Sequence, residues 1–420
     1  MGAPLKRSRD RHNTAEHLDE LARLADTAGA EIVGRLTQQL QRPEPATYLG
    51  KGKLEELRDA AGQAGATLVI FDDQLTPVQG RNIEKVLGTR VMDRAELILD
   101  IFATRARTSE ARMQVELAQL EYTLPRLARM WTHLEKYRNG IGMRGPGETQ
   151  LETDRRLISH RIKILKERLE DVQRSREVQR QSRRGEFRTS LVGYTNAGKS
   201  SILRGLAADH GVFVEDRLFA TLDPLTREVE LGEGHRVLLT DTVGFIRKLP
   251  HDLVASFRAT LDETREADLL LHVIDASHPA WEEHREVVNG VLAELGAQDS
   301  AVLHVFNKTD RLEHETLIAM QARIANLLPN SVFVSAAADG SDGGREGLEP
   351  LRRALLATVR QSRPIAELRL PAATAGRLIA EIHRRGKVLE QRGDGEEIVV
   401  RARLDAASLG RLRREGAVVS

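Results

Sequence analysis

The run Gly193-Tyr194-Thr195-Asn196-Ala197-Gly198-Lys199-Ser200 constrains this chain more tightly than any other stretch. It fits the spacing G-x-x-x-x-G-K-[ST]. An apolar strand-like segment precedes it, Thr189 to Val192, and a helical segment follows, Ser201 to Ala208. Glycine lets a backbone wrap closely round phosphate oxygens, and a helix N-terminus with successive free amides supplies partial positive charge. Lys199 can then reach the β- and γ-phosphates of a nucleotide, and the Ser200 hydroxyl can ligate Mg²⁺.

A phosphate loop does not choose a base. Asn307-Lys308-Thr309-Asp310 does, because it follows a buried-looking strand, Ala301 to Phe306. The Asp310 carboxylate can accept hydrogen bonds from guanine N1–H and the 2-amino group. Adenine offers neither there, and unpaired buried groups are costly. Asn307 would brace the loop, and Ser335-Ala336-Ala337 would meet the base edge. Asp241-Thr242-Val243-Gly244 follows another strand, Arg236 to Thr240. Asp241 would hold Mg²⁺ through water, and the Gly244 amide would meet the γ-phosphate. Thr221, within Phe219-Ala220-Thr221-Leu222-Asp223, stands where a switch threonine would ligate Mg²⁺ and sense that phosphate. Ser201 opens the helix behind the loop. Order and spacing together predict one GTP or GDP site from Gly193 to Ala337, with Lys199, Thr221 and Gly244 as its catalytic groups.

Periodicity divides the rest. Residues 1–104 alternate helical stretches (Thr14 to Thr27, Lys53 to Ala61, Val78 to Leu87, Ala95 to Ala103) with strand-like ones (Glu31 to Leu36, Ala66 to Phe71, Arg90 to Met92), which predicts a small α/β domain with a largely parallel sheet. Residues 105–186 read as a helical hairpin. Its arms carry Met113 to Tyr122 and Leu157 to Val172, its tip is the glycine-rich Asn139 to Thr149, and Pro125 should interrupt the first arm. Residues 187–362 read as a doubly wound α/β domain, with further strands at Leu269 to Ile274 and Ser331 to Val334. Its helices are expected at Leu253 to Arg265, Ala280 to Leu295, His314 to Leu327 and Leu348 to Val359. Asp339 to Gly347 is loop-like by composition. Residues 363–420 suggest a small α+β tail with a hairpin turning at Gly393-Asp394-Gly395.

Charge is placed unevenly. From Arg105 to Arg188 there are 20 Lys and Arg against 12 Asp and Glu, while the whole chain is formally only +1. Such a segment suits either a polyanion contact or a solvated helical face laced with ion pairs. The chain has no cysteine, which excludes disulfides, thiolate metal sites and cysteine nucleophiles. No run approaches the roughly 18 apolar residues of a membrane span, and the basic start, Met1 to Arg11, has no apolar core behind it. The expected location is cytoplasmic. The histidines show no zinc-ligand spacing; His272 and His304 lie within strands, and they and the tryptophans Trp131 and Trp281 read as packed residues.

The nucleotide motifs resemble those of the translation-factor class of GTPases. Upstream, Tyr48-Leu49-Gly50-Lys51-Gly52-Lys53, Phe71-Asp72-Asp73-Gln74-Leu75, Asp93-Arg94, Leu97 to Phe102, Gln114 to Leu120 and Arg144 to Glu152 follow in an order that resembles the HflX family of ribosome-associated GTPases. The resemblance covers nearly the whole chain and is least distinctive after Pro364. It implies GTP hydrolysis, binding to the large ribosomal subunit and its rRNA rather than to DNA, and splitting or rescue of ribosomes under stress. It also implies that Arg144, at the hairpin tip, contacts RNA. A monomer is expected. ATP binding by the N-terminal domain has been proposed in the family, although Gly50 to Lys53 reads as a positively flanked helix start.

One departure stands out. Many small GTPases carry a water-orienting glutamine where this chain has Phe245, so unaided hydrolysis should be slow. Asn196 occupies the position where potassium-stimulated relatives hold K⁺, so K⁺ or a docked partner could complete the site. Two other functions fit the nucleotide motifs: a GTPase of ribosome assembly or tRNA modification, and a non-catalytic, GTP-gated RNA-binding module.

Overall fold

The computed structural model describes residues 1–4, 13–127, 146–182, 186–207, 218–232, 235–249, 263–337, 346–362, 364–395, 397–404 and 406–419. It opens with α1 (Thr14–Thr27), α2 (Lys51–Gln63), β1 (Leu68–Phe71), α3 (Pro77–Leu87), β2 (Arg90–Asp93) and α4 (Arg94–Arg105). α1 is amphipathic and buries Leu18, Leu21, Leu24 and Ala25 at helical spacing. α3 starts on a capping box, in which the Thr76 hydroxyl and the Gln79 side chain each accept the other's backbone amide; Pro77 follows at the first helical turn. β1 and β2 pair in parallel. The strand expected at Glu31 to Leu36 does not form. Ile32 and Val33 lie exposed, and pairing begins only beyond them, where the Gly2 amide donates to Leu36 O at 3.0 Å and the Gln38 amide to Gly2 O at 3.0 Å.

α5 (Ser109–Thr123) and α6 (Pro146–Ser182) lie side by side. Leu165 is fully buried at their contact face, and Arg161 and Lys166 pair with Glu116 and Glu121. Pro125 ends the first helix in a 3-10 turn, Leu124–Arg126, as its missing amide requires. Of the tip expected at Asn139 to Thr149, residues 139–145, with Arg144, lie outside the described residues, while Pro146 to Thr149 belong to α6 and not to a loop. Trp131 and most of the helix expected at Leu253 to Arg265 also lie outside the described residues.

Next come β3 (Phe187–Gly193), α7 (Lys199–Ala207), β4 (Leu225–Gly232), β5 (His235–Asp241), β6 (Leu269–Asp275), α8 (Trp281–Glu294), β7 (Val302–Asn307), α9 (His314–Leu327), β8 (Ser331–Phe333) and α10 (Glu349–Ser362). Their six strands stand in the order β4-β5-β3-β6-β7-β8, parallel except for β4. Successive side chains on a strand face opposite ways. On β6, Leu269, Leu271 and Val273 join the core beneath α7 and α10, whereas Leu270 joins the one beneath α8. That second core does not stop at α8. Leu18 and Leu24 of α1, Ile98 and Phe102 of α4 and Val115 of α5 share it with Val192, Phe219, Phe245 and Leu270. The N-terminal helices thus cover one face of the central sheet.

The chain closes with β9 (Ile365–Pro371), α11 (Ala372–Arg385), β10 (Lys387–Asp394), β11 (Glu397–Arg403), α12 (Ala406–Arg414) and β12 (Val418–Val419). These strands form a separate antiparallel sheet with its own core, and the β10–β11 turn passes through Gly395 at φ 66°.

Candidate nucleotide site

Ligands of doubly wound sheets bind beyond the carboxyl ends of the strands. Here β3, β5, β7 and β8 end at Gly193, Asp241, Asn307 and Phe333, and the loops that follow them enclose a cavity of about 300 Å³. Thr195, Asn196, Gly198, Lys199, Ser200 and Ser201 line it from the phosphate loop. Phe219, Ala220 and Thr221 line a second wall, and Thr242 and Gly244 a third. Asn307, Lys308, Asp310, Ala336 and Ala337 complete it, joined by Arg311, which the motifs did not flag.

Close packing shapes the phosphate loop. Gly198 has φ 94°, and a Cβ there would stand 2.2 Å from Asn307 Nδ2. A Cβ on Gly244 would meet Thr195 Cα at 2.7 Å and Lys199 Nζ at 3.1 Å. The loop is therefore a cradle that any larger side chain would fill. Lys199 Nζ donates to the carbonyls of Gly193 (3.2 Å) and Tyr194 (3.0 Å). Burial pushes its pKa down to about 8, against an opposing pull from Asp241.

Opposite Lys199, Asp241 is fully buried, and burial raises its pKa against Lys199 and the hydroxyls of Ser200 and Thr221. Its Oδ2 accepts from Ser200 Oγ at 2.6 Å and Thr221 Oγ1 at 2.9 Å, and those hydroxyls stand 2.7 Å apart. Its Oδ1 is buried without a hydrogen-bond partner. Two hydroxyls and a carboxylate converging on one point, with one carboxylate oxygen left over, are the hard oxygen donors that Mg²⁺ prefers.

The base side is braced by Asn307, which donates to Ala197 O (2.9 Å) and accepts from the Ala336 amide (3.1 Å). It thereby ties the phosphate loop to the loop after β8. Thr309 Oγ1 donates to Val334 O (3.0 Å), and Ser335 Oγ donates to Asp310 Oδ1. Lys308 adopts φ 64°, a left-handed conformation that costs a side-chain-bearing residue about 1 kcal/mol or more. Its Nζ pairs with Asp275 Oδ2 at 2.8 Å. Burial opposes ionisation of Asp275, but hydrogen bonds from Lys308 and Ser277 outweigh it and hold the carboxyl below its ordinary range. Asp275 was invisible as a site residue; its one signal was its place at the end of an apolar strand.

Other flagged residues lie behind the cavity wall. Val243 and Leu222 are buried in the shared core, and Gly193, Tyr194 and Ala197 form the back of the loop. Asp223 turns away and accepts from the backbone amides of Arg107 (3.1 Å) and Thr108 (3.3 Å) and from the Thr108 hydroxyl. Phe245 is fully buried; its amide donates to Gly193 O (3.0 Å), and its carbonyl accepts from the Thr195 amide (2.7 Å).

Behind Tyr194 stands a buried ionic cluster; the upstream motifs contain its Asp72 and Arg94 but did not point to the cluster. The Tyr194 hydroxyl donates to Glu20 and accepts from the Arg247 amide at 3.0 Å, while its ring stacks on His284, 3.8 Å between centroids. Arg94, 2% exposed at its side chain, binds Glu20, Asp72 Oδ1 (2.8 Å) and Arg247 O (3.1 Å). Asp72 also pairs with Arg247 (3.4 Å) and Lys248 (2.9 Å). The paired His272 and His304 sit neutral in β6 and β7, held down to about 3 and about 4, chiefly by burial.

Three family descriptions match in register with these elements: GTP-binding GTPase N-terminal over residues 15–103, GTP-binding GTPase Middle Region over 105–183, and 50S ribosome-binding GTPase over 188–308. GTPase HflX of Magnetococcus marinus is 47% identical over 95% of this chain and 90% of its own length. This chain belongs to the HflX family of GTPases. GTPase HflX of Escherichia coli K12 is 48% identical over 85% of this chain and 82% of its own length. A GTP-binding protein from Sulfolobus solfataricus, solved with GDP, is 24% identical, covers 86% of this chain and 99% of its own, and has a TM-score of 0.43. As a member of the family, this chain is a P-loop GTPase. Among the described residues, no helix is long and apolar enough to cross a membrane.

Proposed function

We propose that this GTPase binds the large ribosomal subunit through the basic arm of residues 105–186, and that docking there speeds GTP hydrolysis in the cavity around Lys199. The supporting observation is the cavity itself, which gathers the candidate phosphate-loop, switch and base-reading residues beyond the carboxyl ends of the strands. In this reading the chain divides into an N-terminal α/β domain (1–104), the basic arm (105–186), the GTPase domain (187–362) and a tail domain (363–420).

The loop amides and Lys199 would hold the β- and γ-phosphates, and Asp310 would accept from the guanine edge. Ser200 and Thr221 would hold Mg²⁺, with Asp241 acting through water; the ion would neutralise charge on the β- and γ-phosphates. Phe245 is buried away from the cavity and leaves the attacking water unoriented, so unaided turnover would be slow. A docked large subunit supplies the missing order, with K⁺ beside Asn196 as a second candidate. Arg144 would contact rRNA at the tip. The outcome in the cell, at a cytoplasmic ribosome and with the protein monomeric, would be splitting or rescue under stress.

Co-sedimentation with separated subunits, paired with multiple-turnover phosphate release, tests this reading. More protein should sediment with large subunits in a non-hydrolysable GTP analogue than in GDP, and large subunits should raise turnover at least tenfold. Equal sedimentation with both subunits, or turnover unchanged by either, would overturn it. Equal rates in K⁺ and Na⁺ at matched ionic strength would remove K⁺.

A further inference from the structure

The segment from Phe219 to Asp223 carries the switch threonine, and it is fastened at both ends. At one end, the Phe219 amide donates to Thr195 Oγ1 of the phosphate loop at 3.1 Å. Phe219 itself stands at φ 57°, its ring edge-on to Phe102 of α4, 4.7 Å between centroids. At the other end Asp223 accepts three hydrogen bonds from the start of α5: the Arg107 and Thr108 amides and the Thr108 hydroxyl. Thr108 is the N-cap of that helix, and the same hydroxyl accepts from the Ala111 amide at 3.1 Å. One hydroxyl thus joins a helix of the basic arm to a residue two places past Thr221.

The path continues in both directions. Inward, Thr221 Oγ1 meets Ser200 Oγ and Asp241 Oδ2 at 2.7 and 2.9 Å. Outward, α5 carries α6 through Leu165 and the Arg161–Glu116 and Lys166–Glu121 pairs. Arg107 and Thr108 are exposed, so water competes for the Asp223 contact. A carboxylate at a helix N-terminus is favoured by charge, yet in water that advantage is modest. Such a contact can be made or broken within a reaction cycle, unlike the buried Arg94 cluster at the other end of α4.

We propose that Thr108 is a positioning residue for GTP hydrolysis: through Asp223 it sets the place of Thr221, and it passes movement of α5 on large-subunit docking to the phosphate site. The inference rests on the ribosomal reading above. Thr108→Asp tests it, because aspartate still caps a helix but sets a second carboxylate against Asp223. Thr108→Ser keeps both hydrogen bonds and serves as the rescue. Three readouts apply to each variant: co-sedimentation with large subunits, phosphate release with and without them, and amide exchange over residues 219–223.

Thr108→Asp should sediment like wild type and lose most of the subunit stimulation, about tenfold or more in kcat with little change in KM for GTP, while Thr108→Ser keeps it. Exchange over 219–223 should quicken in Thr108→Asp while the thermal unfolding midpoint holds. If Thr108→Asp is stimulated as wild type is, Thr108 positions nothing and the ribosomal reading stands. If it sediments poorly, or exchange quickens along all of α5, Thr108 only shapes the arm and the proposal falls. If wild type itself neither sediments nor responds, the ribosomal reading fails and takes the inference with it.

Discussion

Phe245 is held by its backbone at the phosphate loop and by its ring in the core shared with Phe102 and Phe219. A glutamine placed there would therefore point into apolar packing, not at the attacking water. Phe245→Gln should lower stability by about 3 kcal/mol, through lost packing and a buried unpaired amide, and leave unaided hydrolysis slow. Urea midpoints and single-turnover phosphate release check this; faster hydrolysis with unchanged stability would refute it. That Phe245 cannot orient water was legible from its chemistry. That it serves as a core residue was not, because its partners Phe102 and Leu18 come from more than a hundred positions away. Lys199 offers a pH test at the same scale. If, as proposed, its charged form holds phosphate, GTP affinity should fall as pH rises through about 8, and binding at about pH 9 should take up a proton. Stability follows the opposite sign. Between about 8 and the ordinary 10.5 the unfolded chain holds a proton the folded chain has lost, so the fold gains stability as pH rises across that window. Calorimetry in two buffers of different ionisation heat measures the uptake; identical heats at about pH 9 would count against it.

At the scale of elements, the seam between α1, α4 and the turn after β5 depends on Arg94. Its guanidinium serves Glu20, Asp72 and a carbonyl of the nucleotide half at once. Arg94→Met would leave Glu20 and Asp72 partly uncompensated in a buried place, which costs about 3–5 kcal/mol. The urea midpoint should drop accordingly; a change under about 1 kcal/mol would show that the seam does not need the charge. Burial opposes ionisation of Asp72, but Arg94, Lys248 and Arg247 outweigh it and hold its carboxyl below the ordinary 3.8. Its contribution is thus complete above about pH 4 and is lost as pH falls below that. Local periodicity made most helices readable, and His314 to Leu327 was legible to the residue. It failed where pairing is non-local. Ile32 and Val33 form an apolar run with no strand beside it, and β4, the antiparallel edge strand, buries little besides Val229 and Leu231. The nucleotide motifs were legible because each is contiguous. Asp275 reaches Lys308, Arg94 reaches Glu20 and Asp72, and Thr108 reaches Asp223 only across long stretches of chain, so neither a helix cap nor a short motif shows what those residues join.

For the molecule as a whole, the question is what the positive excess between Arg105 and Arg188 does. Part of it is spent internally: Arg161, Lys163, Lys166 and Arg174 pair with Glu116, Glu167, Glu121 and Asp171. Exposed pairs of this kind are worth little to stability, about 0–1 kcal/mol each. Arg155, Arg156 and Arg168 are exposed on α6 and take no ion pair among the described residues. On an rRNA surface each could neutralise a phosphate and release a counterion. Replacing all three by Gln should then weaken large-subunit binding and reduce the slope of log affinity against log salt by about two to three. GDP affinity of the isolated protein should not move, because none of the three lines the nucleotide cavity. An unchanged salt slope would mean that α6 is a solvated strut and that the arm docks, if at all, by its tip. Reduced GDP affinity would mean instead that the helix charge supports the G-domain fold directly, and the separation between docking arm and hydrolytic site would fail.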